Sequence, residues 1–600
     1  MPIPRRILVV KLADLGDVIT SGPALRALRT TFPHARIVAL VTAATVPVLA
    51  GSPYVDGVLT FDKFAYDRPL SALHPANLLA AVRLAWELRR QRFDTVVILH
   101  HLTTRWGALK YAALAFATGA RRRLGLDNGR GWFLTHRAKD GGFGARHEVE
   151  YALEVVGLLG AHTDDPRLEV PISPADAAYA REVLGPDGPR PLVAIHPGSG
   201  GWSLARRWEP GGFAAVADAL AERYGARIVL VGTASDDVDR VADAMRTMPL
   251  NLAGRTTIGQ LAAVLRHCDL FIGADSGVMH AAAAAGTPTV AIFGPTNPLA
   301  WGPWLPPEHY RIVRSAPLCS PCAYTDTGLG QPWGCPERTC MRMVTVKQVL
   351  AAAEALLAGG ESLEYEAQHR ERTTQVARPV GLWDHVTLDQ AMERIQHFIE
   401  GGQARQVVLV SLDSVIASRR DPILFQVLRR AALRLAIGPE LPPSSRPPGQ
   451  PPPVVLDARD LVEEVAARAA AAGWRLFLLG TRPEGVAGAA GALAERHPGL
   501  VIAGTHAGSP AGEEEDAIVE AIRQAQPTLL LVGFGVPEQE KWIARNLPRL
   551  DVPVAIGVGA ALERIAGGSI SPSLTADLRR RLGRLRALVG LAVNGGLGGR

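Results

Sequence analysis

The chain has 600 residues, 48% of them hydrophobic and 20% charged, which is too long for one core and too apolar for general disorder. Its 61 glycines and 45 prolines follow no collagen period, and no apolar run reaches the ~20 residues of a membrane span. The net charge of +6 favours anionic partners such as nucleotide diphosphates, lipid phosphates or an anionic leaflet, although only six of the 64 cations are Lys.

At about 100–200 residues per domain, three or four domains are expected. Nucleic acid is not expected, because no basic run is interleaved with stacking aromatics. Met1-Pro-Ile-Pro-Arg-Arg leads directly into Ile7-Leu-Val-Val without the apolar stretch of a secretory signal, so a cytoplasmic location is expected.

Short hydrophobic runs alternate with Ala/Leu/Arg-rich helical stretches, the rhythm of βαβ units and parallel sheets. The first strands are predicted at Ile7–Leu12, Ile37–Val41 and Thr95–Leu99, with helices from near Asp17 and near Asn77. A second set follows at Leu192–His196, Arg227–Val231, Asp269–Gly273 and Thr289–Phe293, with helices near Gly212–Tyr224 and Met279–Ala285. These make two Rossmann-like halves, 1–175 and 185–357, joined around Pro166–Pro191. Ligands of such sheets sit at the carboxyl ends of strands, so two facing halves enclose a cleft. A polar stretch, 358–382, reads as a linker. A third α/β unit, 383–590, has strands at Val407–Leu412, Leu476–Leu479, Leu529–Val532 and Val554–Ile556. It also contains a proline-rich extended loop at Leu441–Pro453.

The first strand ends in Lys11-Leu-Ala-Asp14-Leu-Gly16-Asp17-Val18, with no G-x-G-x-x-G. Asp17 is either a helix N-terminal carboxylate favoured by the helix dipole or a general base at the mouth of the cleft. In the second half a strand runs into His196-Pro-Gly198-Ser199-Gly200-Gly201, whose backbone N–H groups suit a phosphate. Arg206 and Arg207 follow, suited to a leaving diphosphate. Another strand ends in Asp275-Ser276-Gly277-Val-Met-His280, where Ser276 and Gly277 open a helix whose N-terminus is an anion site. Each residue also has a plain reading as a cap or a packed histidine. Cys319, Cys322, Cys335 and Cys340 have spacing that suits a structural zinc, with free thiols or disulfides as alternatives. In the third unit, Thr505-His506-Ala-Gly508 follows one strand and Gly533-Phe-Gly535-Val-Pro537-Glu538-Gln539-Glu540 another. Gln539 and Glu540 either bond a sugar or ribose or open a helix with an acidic first turn.

Over about residues 5–357 the chain resembles glycosyltransferase family 9, the lipopolysaccharide heptosyltransferases. The matching pieces are Leu15-Gly16-Asp17-Val18 with Pro23-Ala-Leu-Arg-Ala-Leu-Arg, His147-Glu-Val-Glu, His196-Pro-Gly-Ser, Arg206-Arg-Trp208 and Asn251-Leu-Ala-Gly254. They continue with Asp275-Ser-Gly277-Val-Met-His280 and Gly286-Thr-Pro288-Thr-Val-Ala-Ile-Phe-Gly294-Pro-Thr296. The resemblance implies a GT-B fold and metal-independent transfer with inversion at the anomeric carbon. It makes Asp17 the base and assigns the donor to Arg206 (where the family usually has Lys), Asp236, Asp275, Ser276, Gly277 and His280, which Ser199 joins as a donor-binding residue of the phosphate-suited loop.

Residues 383–590 resemble glycosyltransferase family 26, whose members add N-acetylmannosamine-type sugars to undecaprenyl-diphosphate-linked acceptors. Trp383-Asp-His-Val-Thr, Phe477-Leu-Leu-Gly480, Gly504-Thr-His506, Gly535-x-Pro537-x-Gln539-Glu540 and Gly557-Val-Gly559-Ala-Ala561 carry it, implying a pocket of His506, Gly535, Gln539 and Glu540. Three motifs depart: Ser411-Leu-Asp413 replaces Thr-x-Asn, Ala436-Ile437-Gly438-Pro439 replaces the Asp-Gly of the base, and Ile570-Ser-Pro572 replaces Arg-Ala-Pro. A unit that keeps a nucleotide or lipid-phosphate pocket without the chemistry is therefore expected. Arg579-Arg-Arg581, Arg584 and Arg586 suit an anionic leaflet, a polyprenyl diphosphate or a solvated helix face.

The expectation is a glycosyltransferase peripheral to the inner face of the plasma membrane. It would move a heptose-like sugar from a nucleotide diphosphate sugar to a lipid-linked envelope glycan, needing no cofactor for catalysis. The alternatives are a bifunctional transferase and a non-catalytic binding module.

Overall fold

The computed structural model describes residues 3–67, 69–185, 190–200, 203–359, 383–384, 386–418, 421–437 and 457–567. The proline loop, the body of the linker, Ile570-Ser-Pro572 and the Arg579–Arg586 cluster lie outside them. The chain forms two compact units, one of Met1–Ser315 with Ser320–Leu363 and one of Ala316–Cys319 with Glu364–Arg600.

The first unit holds two six-stranded parallel sheets. One is built from β1 (Arg6–Val10), β2 (Arg36–Val41), β3 (Gly57–Thr60), β4 (Thr95–Ile98), β5 (Arg122–Asp127) and β6 (His136–Lys139). The other is built from β7 (Leu192–His196), β8 (Arg227–Leu230), β9 (Leu250–Asn251), β10 (Leu270–Ala274), β11 (Thr289–Ile292) and β12 (Tyr310–Val313). Their orders, β3-β2-β1-β4-β5-β6 and β12-β11-β10-β7-β8-β9, are the same winding listed from opposite edges. In each sheet the first strand lies beside the fourth, β1 on β4 and β7 on β10, and there the winding reverses. Crevices open outside the carboxyl ends of strands at such reversals. The central strands are buried throughout because helices cover both faces, which is why they read as unbroken apolar runs.

One apolar cluster joins the two halves. It runs from Ile7, Val18 and Ile19 in the first to Met279, Ala281 and Phe293 in the second. The Leu15–Thr20 and Gly277–Ala285 helices both contribute buried residues to it.

The second unit contains a third parallel sheet of β13 (Arg405–Val410), β14 (Leu433–Ala436), β15 (Arg475–Gly480), β16 (Val501–Ala507), β17 (Leu529–Gly533) and β18 (Val554–Gly557). Its order, β14-β13-β18-β17-β15-β16, differs from the winding shared by the other two.

Candidate active site

The site forms where the two reversal points of the first unit meet. Beyond β1 the chain turns through Ala13 and Asp14 into the Leu15–Thr20 helix, with Asp17 in its first turn. Beyond β10, Ser276 caps the Gly277–Ala285 helix, its Oγ accepting from the Met279 N–H at 3.4 Å. The two helix starts touch. A Cβ on Gly16 would stand 2.6 Å from His280 Cδ2, and one on Gly277 would stand 2.7 Å from Leu15 Cδ2 and 3.2 Å from the Gly16 nitrogen. Gly16 and Gly277 are therefore required by close approach: any side chain there would push the walls apart.

On the second wall, Ser276 Oγ lies 3.2 Å from His196 Nδ1 at the end of β7. Arg206 donates from Nη2 to the Ser199 carbonyl at 2.9 Å and holds Nη1 3.5 Å from Asp275 Oδ2. The guanidinium thus spans the two strand-end loops, half-buried at the rim. His280 is buried, burial pushes it down to about 4, and its Nδ1 has no protein partner. It is a neutral imidazole.

The first wall carries a chain of charges that motif reading does not find. Lys11, buried, reaches 3.5 Å from Asp17 Oδ1 and 3.9 Å from Glu148 Oε2. His101, just past β4, lies with Nε2 3.0 Å from Glu148 Oε1 and Nδ1 2.9 Å from Asp140 Oδ1. Burial pulls the His101 pKa down, but Glu148 and then Asp140 outweigh it and raise it to about 9. Burial likewise works to raise Glu148 and Asp140, and His101 is the largest of the contacts that hold both below the usual carboxylate range. Asn128 and the Gly142 N–H also donate to Asp140, at 2.8 Å each. The sequence signal for His101 was its place at a strand end beside the reversal point. Glu148 stood inside a quoted motif, but nothing marked it as the partner of a histidine 47 residues away.

Lys63 and Tyr324 face the same carboxylates. Burial lowers the Lys63 pKa against the opposing pull of Asp17 and Asp14, and burial followed by Asp17 and Asp14 raises that of Tyr324. Phe143 stacks on Trp301 with centroids 5.2 Å apart and lies 5.2 Å from Tyr324, which makes one side of the site aromatic.

Two expectations need correction. Asp236 does not face the cleft: it is buried, takes the Thr233 N–H and hydroxyl on Oδ2 at 2.8 Å each, and packs beneath Gly198, where a Cβ would meet its Oδ1 at 2.1 Å. Burial disfavours its charge, yet His196 and Thr233 hold its pKa well below the carboxylate range. Ser199 is also buried, its hydroxyl donating to the Ser203 carbonyl at 2.7 Å, which leaves the backbone of the loop as its outward-facing part.

Cys319 falls in the second unit and Cys322, Cys335 and Cys340 in the first. Among the described residues no group of three or more His, Cys, Asp or Glu converges to hold a metal ion. Burial, then Cys335, pushes the Cys340 thiol up to about 12.

The other correction concerns the second unit. His506 lies within edge strand β16 rather than after a strand, with β15 between it and β17, which leads to Gly535. Gln539 is buried, and its Oε1 accepts from the N–H of Gly535 at 3.1 Å and of Gly559 at 2.8 Å. Its Nε2 donates to Glu540 Oε1 at 2.8 Å. The amide therefore ties two strand-end loops together and offers a ligand little. Glu540 is buried, and burial pushes it up to about 7.

Two halves of one winding, an acid on one wall and an anion-suited loop and helix start on the other, define a GT-B glycosyltransferase. Residues 81–330 match the model described as Glycosyltransferase family 9 (heptosyltransferase). Residues 378–573 match the Glycosyl transferase WecG/TagA/CpsF family. Lipopolysaccharide heptosyltransferase 3 of Escherichia coli K12 is 30% identical over 310 residues, covering 48% of this chain and 82% of that protein. Lipopolysaccharide heptosyltransferase 2 of the same strain is 26% identical over 326 residues, covering 52% and 88%. A solved structure, the glycosyl transferase family 9 from Veillonella parvula DSM 2008, is 26% identical over 59% of this chain and 97% of that one, with a TM-score of 0.47. The chain belongs to glycosyltransferase family 9, with a WecG/TagA/CpsF-type domain following in the same polypeptide.

Proposed function

We propose that the first unit transfers a heptose-type sugar from a nucleotide diphosphate sugar to a lipid-linked envelope glycan of the lipopolysaccharide core type, working at the inner leaflet. The sugar and acceptor class follow from the names of the relatives. The chemistry rests on one observation, the contact of the Gly16–Asp17 turn with the Gly277–His280 helix start across the cleft.

In this reading Asp17 takes the proton from the acceptor hydroxyl as its oxygen attacks the anomeric carbon from the face opposite the diphosphate. The bond from that carbon to the diphosphate oxygen breaks with inversion. Negative charge grows on the leaving diphosphate, where Arg206, the 198–200 backbone and the N-terminus of the Gly277–Ala285 helix stabilise it. Lys11 orients the Asp17 carboxylate, and the pairing of Lys11 with Glu148 and of Glu148 with His101 keeps Lys11 in place. His280, packed against the Gly16 turn, holds the two helix starts at this spacing.

For the C-terminal domain we infer a holding role without catalysis. Ala436 and Ile437 stand where the family 26 resemblance has its acid, and Gln539 is engaged by its own loops.

The test is calorimetric titration of ADP-, GDP- and UDP-sugars against the wild type and Arg206→Ala. One nucleotide series binds, and the substitution weakens it about ten-fold or more, as loss of a charged hydrogen bond does. Equal binding by the variant contradicts the assignment of Arg206.

A further inference from the structure

We propose that the outer face of the Pro75–Arg90 helix, together with the end of the neighbouring Arg105–Thr118 helix, is a docking surface for an anionic phospholipid bilayer. Amphipathic helices in globular proteins normally turn their apolar residues inward. In the Pro75–Arg90 helix only Leu88 is fully buried, whereas Val82 is 64% exposed, Trp86 62%, and Leu78 and Leu79 about half. The two helices run side by side with their last turns adjacent, since the Arg89 guanidinium packs where a Cβ on Gly119 would sit. That brings Phe116, itself half exposed and 6.1 Å from the 59%-exposed Trp132, to the same end of the molecule as Trp86.

Charge selects the partner. Arg83, Arg89 and Arg90 are exposed on the same helix, and Arg105 and Arg121 flank its neighbour. The one acid on the Pro75–Arg90 helix, Glu87, is bonded to Gln91, and the Arg105–Thr118 helix has no acid. Two guanidiniums sit on aromatic faces, Arg90 over Trp86 at 5.1 Å and Arg123 over Phe116 at 4.9 Å. An apolar body capped by a cation suits the zone between acyl chains and headgroups, where the ring enters the lipid and the guanidinium meets phosphate. A second protein chain would bury these arginines against its own surface and would need acids to meet them; an anionic leaflet supplies that charge everywhere. The surface goes beyond the transfer proposal and depends on it only for its purpose, bringing the cleft to a lipid-linked acceptor.

The experiment is co-sedimentation of the full chain with vesicles of equal parts phosphatidylglycerol and phosphatidylcholine, and with pure phosphatidylcholine. The wild type is expected to bind the anionic vesicles. Leu79→Gln/Val82→Gln/Trp86→Gln should weaken that binding about ten-fold or more. Arg83→Gln/Arg90→Gln should weaken it about five-fold per arginine and leave any residual binding to phosphatidylcholine unchanged. Transfer by the triple variant to a soluble, delipidated acceptor should match wild type, which also establishes that it folds. No wild-type binding, undiminished binding by the triple variant, or a wild-type dimer that the triple variant turns into a monomer would each overturn the proposal. Vesicle binding through this face by a chain that transfers no sugar from any donor supports the docking surface and overturns the transfer proposal instead.

Discussion

Glu148 and Glu540 are both buried carboxyls in the first turn of a helix, so each receives the same help from a helix dipole. Their environments nevertheless drive them in opposite directions. Burial works to raise both, but His101 and Lys11 overcome it at Glu148, which is held below the usual range. At Glu540 the largest opposing contact is the Gln539 amide, and burial carries the pKa up to about 7. Explicit counter-charges, rather than position in a helix, decide the ionisation of a buried acid. The difference separates the two regions by purpose. The first unit runs a line of ion pairs to Asp17, while the second buries a carboxyl with no cation among its hydrogen-bond partners.

The largest effect that would sharpen this contrast comes from removing each charge. Glu148→Gln takes one of two carboxylate partners from His101 and from Lys11, leaving Asp140 and Asp17, and costs up to the about 3–5 kcal/mol of a broken buried pair, read as a fall in the first unit's urea midpoint. Glu540→Gln keeps the shape and removes no counter-charge, so at pH 8 it should be neutral or stabilising. Equal losses from both would break the comparison.

Next comes the pH dependence, which runs in different windows. The raised pKa of His101 contributes stability that is complete below 6.5 and lost as pH climbs through about 9, on the order of 3 kcal/mol. For Glu540, the native state keeps a proton that the unfolded chain releases above 4.5. The second unit should therefore lose a similar amount, on the order of 3 kcal/mol, as pH rises from 4.5 through about 7. Thermal melts followed by a probe in each unit separate the two, and His101→Gln and Glu540→Gln should each flatten only their own limb.

A smaller contrast lies in the glycines. Gly16 is constrained by His280, 2.6 Å from where its Cβ would be, so Gly16→Ala should part the walls and slow transfer, on the order of 100-fold for a displacement near 1 Å. Gly535 has open space around it but a φ of +81°, so Gly535→Ala should cost about 1–2 kcal/mol of stability in the second unit and leave transfer rates alone.

The sequence pattern revealed the sheet interiors far better than their margins. Strands such as Leu192–His196 and Thr289–Ile292 are buried on both faces and stand out as apolar runs. The edge strands β3, β6, β9, β12 and β14 did not, and β16 was legible only as an unnamed run before Thr505. An edge strand is half solvated and tolerates residues such as those of His136–Lys139. Interior β5, with Arg122, Arg123 and Asp127, was also hidden, since its charged ends fasten to neighbouring loops. At the site, residues carried by one local turn (Asp17, Ser276, Gly277) were legible because a strand end and a cap are local features. Lys11, His101, Glu148 and Asp140 converge from three strand ends and a helix, and only tertiary pairing joins them. Asp236 was misjudged for the converse reason: an acid after a strand looks alike whether it faces the cleft or the loop beneath it.

The most direct test of the central claim, an acid on one wall opposite an anion cradle on the other, is single-turnover transfer by Asp17→Asn beside its donor affinity. The account predicts a chemical step slowed about 100- to 10,000-fold with donor Kd unchanged within about two-fold. Wild-type turnover by the variant, or a donor affinity that collapses with the rate, would contradict it.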